Sequence, residues 1–462
     1  MSTKFSNDLT QGSVAKQLIK FSWPFLLSMF IQSVYGLADM MIVGWFMGPQ
    51  GINAVQNSSQ ITLVVTNIIV GFSVGGTVLI AQYLGAKQMQ NVKETIGTLF
   101  TVFFISAAVV TGVMLVFASQ ALKLLNTSPE CFDNALNYLN ICMGGTIFIV
   151  GYNAISAVLR AMGDSKRPLY FVMIACVLNI ILDFLFVGPL KLQAAGAALA
   201  TVIAQAISFI LAVIYLAKNN FVFDFKPRSF VIHKDKLKTL IKIGLPTTVQ
   251  QTLVSFSFLT LTSLANAVGG VVGGTTIGIG GKINSFAILP GIAMSSSIAS
   301  MVGQNIGAGD YKRAKKTLHI GAGITFVIAA ILFTLMQLFP EALVQAFIGS
   351  GGDYTPEQLK ELTDTAVMYI RFLCIDSLVM SIGFCVNGFI NGAGKTLFTM
   401  IISLVSAIIL RVPLAYFFAL TLNMGVAGIG LAAGLSPIAT LVIGLIYYKS
   451  GRWKKARLIK EQ

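Results

Sequence analysis

The sequence predicts an all-α integral membrane protein, with twelve transmembrane helices divided between two six-helix bundles. Hydrophobic residues make up 55% of the 462 residues and charged residues only 11%, with a mean hydropathy of +0.81. A soluble domain carries about a quarter charged residues. Apolar runs of about 20 residues, the length that crosses a bilayer as a helix, recur from end to end. The third observation is an internal repeat.

The repeat is visible in three pairs of matching segments. Lys16–Pro24 corresponds to Lys238–Pro246, 222 residues later, and at the same offset Gln82–Ala86 corresponds to Gln304–Ala308. The third pair, at 195–197 and 427–429, is offset by 232 residues. Since each half holds an even number of spans, we expect a pseudo-twofold axis along the membrane normal to relate them. Such duplication is typical of secondary transporters, whose substrate path runs between the halves.

Each apolar run is predicted to be helical because the bilayer core has no water to satisfy free backbone groups. The predicted spans are 18–46, 52–84, 92–118, 134–161, 168–188, 194–217, 239–268, 275–303, 314–339, 362–391, 396–421 and 425–448. The predicted domains are therefore 1–217 and 239–462, joined by a basic linker over 218–238. Between spans seven and eight, the glycine-rich stretch 269–281 predicts either a broken helix or a flexible outer loop.

The basic residues predict an orientation. The net charge is +15, and with the N-terminus placed inside, 26 of the 32 lysines and arginines fall in inner segments. Only Lys123, Lys191 and Lys360 fall in outer segments. This asymmetry follows the positive-inside rule, so both termini are predicted to be cytoplasmic. The charge thus sets orientation and can contact anionic lipid, and it does not indicate a nucleic-acid partner.

Three acids lie well inside predicted spans: Asp39, Asp183 and Asp376. Charge within a membrane is costly, so such residues are functional by default. Asp39 shares one helix face with Gln32 and Tyr35. Burial among apolar groups favours the protonated form of a carboxyl group, which suits reversible proton binding. The alternative is a structural hydrogen bond to a neighbouring helix.

Asp183 lies four residues after Asn179, on the same helix face. Thr201 on the next span and Asn153 on the fourth can add oxygen ligands. A cluster of carboxylate, amide and hydroxyl oxygens suits a proton or a small hard cation such as Na⁺. The residues alone leave an ion site and a polar packing network as equal alternatives.

The second half differs from the first in its charges. Asp376 and Arg411 lie on consecutive spans and predict an intramembrane ion pair, with a packing role favoured over a second transport site. The sequence contains no nucleophile or zinc motif, and Gly394-Lys395-Thr396 lacks the leading glycine of a phosphate-binding loop because Phe389 occupies that position. The chain is therefore predicted to be neither an enzyme nor dependent on a cofactor or resident metal.

A set of residues spread along the chain forms a recognisable pattern: Pro24, Gln32, Tyr35, Asp39, Gly85-Ala86, Leu159–Asp164, Asn179, Asp183 and Asn391–Gly394. With these residues the chain resembles the multidrug and toxic compound extrusion (MATE) family over nearly its whole length. The resemblance implies a V-shaped cavity between the bundles. It also implies export of organic cations or drugs from the cell membrane, in exchange for H⁺ or Na⁺, by a monomer.

The DinF-like branch of the family fits best. In that branch an acid in span one and an Asn/Asp pair in span five form the cation site. Asp39, Asn179 and Asp183 match those positions, and the branch implies Thr201 and Asn153 around them. The residues predicted near the substrate are Gln32, Tyr35, Tyr138, Asp376 and Arg411.

The NorM-like branch fits less well, because Val254 stands where it places a glutamate. A lipid-linked-sugar flippase of the same superfamily is the alternative function. Such a protein is expected to line its cavity with arginines, whereas Arg411 is the only deep basic residue in the sequence.

Overall fold

The computed structural model describes residues 7–125, 127–348, 355–456 and 458, and within them every regular element is a helix. The first six are α1 (Val14–Gly48), α2 (Gln50–Gly85), α3 (Met89–Leu124), α4 (Pro129–Gly144), α5 (Thr146–Ala161) and α6 (Lys166–Val187). The next six are α7 (Gln193–Lys218), α8 (Lys234–Ala287), α9 (Leu289–Gly307), α10 (Tyr311–Leu338), α11 (Pro340–Ile348) and α12 (Pro356–Gly392). The last are α13 (Thr396–Thr421), α14 (Gly425–Leu435) and α15 (Pro437–Lys449).

The prediction of twelve spans is confirmed, although several spans are bent. Among the described residues, ten helical segments are long and apolar enough to cross a membrane when α14 and α15 are counted as one, and α4 with α5 forms an eleventh span bent by 50°. Helix α8 contains a break at Gly270, where φ is 55° and ψ is −140°. The part after this break, with α9, covers predicted span eight. The glycine-rich stretch is therefore a broken helix and not an open loop, since glycine tolerates this backbone conformation.

Helix starts follow local sequence signals. Asp310 accepts a hydrogen bond from the Arg313 backbone N–H (2.8 Å) and caps α10. Thr355 and Gln358 form a capping box at the start of α12. The short helix α11 follows α10 directly, and the sequence analysis did not predict it.

The predicted linker packs against the first half. Phe223, Phe225 and Phe230 surround Phe100 of α3 at ring-centroid distances of 5.6, 5.9 and 6.3 Å. The linker backbone also reaches α3, because the His233 N–H donates to the Thr98 hydroxyl (3.1 Å). The division into 1–217, 218–238 and 239–462 stays a prediction, and residues 1–6 and 459–462 lie outside the described residues.

The two halves meet where α2 crosses α9, at the segments that match at offset 222. We call Gln82–Gly85 and Gln304–Gly307 the seam. A Cβ atom on Gly85 would lie 1.9 Å from the Gln304 carbonyl oxygen, and one on Gly307 would lie 2.0 Å from the Gln82 carbonyl oxygen. The contact is therefore reciprocal, and glycine is needed at both positions because the two backbones touch.

Gln82 links the seam to the end of the chain. Its side chain is fully buried. The amide nitrogen donates to the Gly392 carbonyl (3.1 Å), and the amide oxygen accepts from the Leu458 N–H (3.1 Å). Both polar ends of the side chain are satisfied, so this glutamine fastens α2, the end of α12 and Leu458 together.

Gln304 makes the mirrored set of contacts with the start of the chain. Its amide nitrogen donates to the Ala161 carbonyl (3.1 Å), and its amide oxygen accepts from the Leu9 N–H (3.0 Å). Arg313 adds hydrogen bonds to the carbonyls of Leu9, Gln11 and Gly12, at 3.2, 2.7 and 2.7 Å. Both described ends of the chain thus lie at the seam, and we call this end of the molecule the termini face.

We expect Gly85→Ala to lower the melting temperature in detergent by several degrees. The added methyl group meets backbone, which cannot move aside as a flexible side chain can, and overpacking of this kind costs about 1–3 kcal/mol. Gly112→Ala is the matched control, because nothing lies within 4 Å of its Cβ position on α3. Equal melting temperatures for the two variants would show that the seam is not tightly packed.

Candidate functional site

A cavity of about 480 Å³ lies between the halves. The first half contributes residues from α1, α2, α5 and α6, and the second half contributes residues from α8, α9, α12, α13 and α15. Its walls are mixed: apolar side chains such as Val254, Met380 and Phe384 alternate with serine, asparagine and glutamine. A concave site with an apolar body and a few polar groups is the usual form of a small-molecule site.

Several buried polar atoms of the cavity lining have no hydrogen-bond partner in the protein. Buried polar groups in folded proteins are nearly always paired, so atoms of this kind indicate a place for water or a ligand. These atoms are Ser73 Oγ, Ser156 Oγ, Gln250 Oε1, Asn284 Oδ1, Asn387 Oδ1 and Arg411 Nη1.

Asp39 and Asp183 form a pair of carboxyl groups inside the first half. Asp39 on α1 is 7% exposed and Asp183 on α6 is fully buried, and their carboxyl groups are direct neighbours. Neither oxygen of Asp183 has a hydrogen-bond donor, nor does Oδ1 of Asp39. Of the ion pairs formed by the described residues, none includes either acid.

The groups around this pair are polar but uncharged. Tyr35, Tyr138 and Cys142 lie within electrostatic reach of Asp39. The Tyr35 hydroxyl also lies beside Gln205, whose buried Oε1 lacks a partner. The sequence analysis missed Gln205, although an amide inside an apolar span is the kind of signal that would have found it.

Two adjacent carboxylates without a basic partner cannot both remain charged in a dry interior. The pair must share a proton or hold a cation between its oxygens. Hydroxyl and amide oxygens nearby are suitable ligands for a hard cation such as Na⁺. The arrangement can therefore bind and release H⁺ or Na⁺.

The other residues predicted for this site divide into two groups. Asn179 is buried beside Asp183 and its amide donates to the Thr201 hydroxyl (3.3 Å), so these two belong with the acids. Asn153 does not. Its amide donates to the Ile149 carbonyl of its own helix (2.7 Å), and its side chain lines the central cavity.

The predicted cavity residues need a similar correction. Gln32 does line the cavity. Tyr138, expected near the substrate, is only 6% exposed and packs within the first half beside Ser59. Tyr35 also lies outside the cavity lining, next to Asp39. Both tyrosines are on the side of the helices that faces the acid pair, an orientation that residue spacing alone does not define.

The predicted ion pair between Asp376 and Arg411 is wrong, because none of their nitrogen and oxygen atoms approach within 4.0 Å. Asp376 instead accepts a hydrogen bond from Asn284 (3.2 Å). Arg411 Nε donates to the Ser436 hydroxyl (2.9 Å), and its guanidinium lies 4.9 Å from the centre of the Phe258 ring. Asp376 and Arg411 both line the cavity, as predicted for residues near a substrate.

Irregular helix geometry places Arg411. It lies between two π-helical segments, Val405–Leu410 and Phe417–Thr421, and Pro413 follows it by two residues. Proline lacks an N–H and cannot continue the α-helical hydrogen bonds, and π-helical turns often mark functional sites. Its partner Ser436 lies at the break between α14 and α15, directly before Pro437. The two prolines are the sequence signal for this geometry.

Comparisons with known proteins agree with this architecture. The MatE family model matches residues 24–185 and 246–417. The chain is 30% identical to the probable multidrug resistance protein YpnP of Bacillus subtilis, over 98% of this chain and 99% of that protein. It is 26% identical to the probable multidrug resistance protein NorM of Thermotoga maritima, over 97% and 95% of the two chains.

Solved structures show the same fold. An outward-facing multidrug resistance MATE transporter of the MOP superfamily superimposes with a TM-score of 0.91 at 21% identity, over 99% of this chain and 100% of that one. A MOP superfamily transporter from Pyrococcus furiosus gives a TM-score of 0.92 at 21% identity, over 99% of both chains.

We expect the cavity to be wet and reachable from water. In a variant without native cysteines, Gln250→Cys should react rapidly with a water-soluble methanethiosulfonate in detergent, measured as a mass increase. Ser257→Cys on the same helix should stay unmodified until the protein unfolds, because Ser257 is fully buried and bonded to the Ala407 carbonyl (2.7 Å). Protection of both positions would show that the cavity is sealed.

Proposed function

The chain belongs to the MATE family, and on this premise we propose that it exports amphipathic organic compounds, organic cations and drugs included, by secondary active antiport against H⁺ or Na⁺. The Asp39–Asp183 pair is the observation that supports this proposal most strongly. It is buried, has no basic partner, and needs a proton or a small cation to balance its charge. The relatives described as multidrug resistance proteins support drugs as the cargo.

The proposed location is the cell membrane, with the termini face toward the cytoplasm. The excess of basic residues in the segments at this face supports that orientation through the positive-inside rule. A monomer is the proposed transporting unit. The proposal includes no cofactor besides the coupling ion.

Alternating access requires the seam to open. The two halves touch at Gln82–Gly85 and Gln304–Gly307, so a cytoplasmic substrate can reach the cavity only after these segments separate. In the proposed cycle, H⁺ or Na⁺ enters the acid pair and changes the hydrogen-bond needs of Asp39, which repacks α1 near Tyr35. Ion binding shifts the balance of the two states only through its different affinity for each.

We expect Asp39→Asn to abolish gradient-driven export while leaving the protein folded, because an amide cannot exchange the proton or balance the cation. The test is ethidium efflux from proteoliposomes under an imposed H⁺ gradient and, separately, a Na⁺ gradient. The gradient that drives the wild-type protein identifies the coupling ion.

Asp133→Asn is the matched control, since this acid is exposed on α4. It should export at the wild-type rate. Coupled export that survives in Asp39→Asn would remove this residue from the mechanism, and a wild-type protein that neither gradient drives would refute the proposed antiport.

We also expect Asp183→Asn and Asn179→Ala each to impair export strongly, with the double variant little worse than either single variant. Groups that act as one site lose their function together, so their effects do not add. The measurement is the same efflux rate. Losses that add fully in the double variant would indicate two separate packing roles.

A further inference from the structure

The charged groups that face the central cavity are mostly basic. Among the described residues, the cavity lining contains Arg160, Arg411 and one acid, Asp376. Asp39 and Asp183 lie behind the wall in the first half and are not part of the lining. The surface offered to a substrate thus carries one more positive charge than negative charge, which is unexpected for a cavity that accepts only cations.

Arg411 is the basic residue of the lining that has a buried nitrogen without a hydrogen-bond partner. It is 7% exposed, and its Nη1 has no hydrogen-bond partner. The guanidinium plane is already fixed by the Ser436 hydroxyl at Nε and by the Phe258 ring. A buried charged donor without a partner is costly, whereas an anion in the cavity would satisfy it.

Asp376 does not fill this role. It forms no ion pair with Arg411, and its Oδ2 is bound by the Asn284 amide. Arg160 also lies against an aromatic ring, with its guanidinium 4.9 Å from the centre of Phe25 on the first-half wall, but none of its nitrogens is among the buried atoms without a partner. Asp376 lies within electrostatic reach of Arg411 but leaves its Nη1 without a hydrogen-bond partner, so Arg411 is the better-positioned anion acceptor.

We propose that the second-half wall of the cavity is a subsite for an anionic group of an amphipathic substrate, a carboxylate or a phosphate, with Arg411 as the residue that binds it. A guanidinium presents two parallel N–H donors that match either group. Met380, Phe384 and Val254 supply an apolar surface for the rest of the molecule. The inference rests on the proposed export function and adds that zwitterionic and anionic amphiphiles are among the cargo.

A matched pair of dyes tests the subsite. Rhodamine B carries a free carboxylate beside its cationic ring system, and its ethyl ester lacks only that charge. Binding of each dye to the purified full-length protein in detergent is measured by fluorescence anisotropy. The variants are Arg411→Gln, Arg411→Lys, Arg160→Gln and, as the control, Arg371→Gln, an exposed arginine on α12 that is outside the cavity lining.

The expected result is specific to the acid and to one arginine. The wild-type protein should bind rhodamine B more tightly than the ester, and Arg411→Gln should weaken rhodamine B binding by roughly tenfold or more, the usual effect of losing a charged hydrogen bond. Binding of the ester to Arg411→Gln should not change. Arg411→Lys should retain part of the preference for rhodamine B over its ester, and Arg371→Gln should retain all of it.

Four results would overturn the inference. Two concern the wild-type protein: it binds the ester as tightly as the acid, or it binds neither dye. The other two are equal losses of affinity for both dyes in Arg411→Gln, and loss of the preference for the acid in Arg160→Gln alone. The comparison within the wild-type protein needs no variant, so it can refute the inference even if Arg411→Gln fails to fold.

The source of the anion and the export function are tested separately. Phosphatidic acid that displaces rhodamine B from the wild-type protein, but does not bind Arg411→Gln, would identify a lipid phosphate as an occupant of the subsite. Transport of the ester without preference for the acid, in proteoliposomes, would leave the export function intact and refute the subsite. Transport of no dye under either gradient would refute the export function itself.

Discussion

The close crossing of two glycine-bearing helices holds this protein together. Gly85 and Gly307 bring the backbones of α2 and α9 into contact, and nothing larger than hydrogen fits at either position. Lipid provides little hydrophobic drive between helices, so close backbone packing supplies much of the attraction. The buried Gln82 and Gln304 side chains then fasten the crossing to both described ends of the chain. The cavity between the halves exists because they touch here.

The sequence predicts the parts of this molecule that depend on composition and repetition. The spans, the duplication and the buried acids Asp39 and Asp183 all follow from apolar length and the cost of charge in a membrane. It does not predict which way each helix is turned. Asn153 is predicted beside the acid pair but faces the cavity, and Tyr138 is predicted near the substrate but faces Asp39. Nor can spacing reveal that Asp376 and Arg411 fail to meet.

The two halves share a scaffold and differ in chemistry. At the offset of 232 residues, Asn179 in the first half corresponds to Arg411 in the second. Asn179 contacts Thr201 beside an acid pair that is closed off from the cavity, whereas Arg411 faces the cavity with an unpaired nitrogen. The backbone crossing at the seam is present in both copies, because each glycine contacts the other half. Asn179 and Arg411 instead form their hydrogen bonds within their own halves.

This division of chemistry constrains how an ion and a substrate can be coupled. If both bound the same carboxylates, exchange would follow from direct competition. Here the acid pair lies behind the cavity wall, and the charged groups that face a substrate belong mainly to the other half. In the proposed antiport, coupling therefore acts through helices that both sites contact. Helix α1 meets this requirement, since it carries Asp39 on one side and Gln32 in the cavity lining. In the proposed cycle, a change in the charge state of Asp39 therefore alters the cavity and the seam together by moving or repacking α1 against α2.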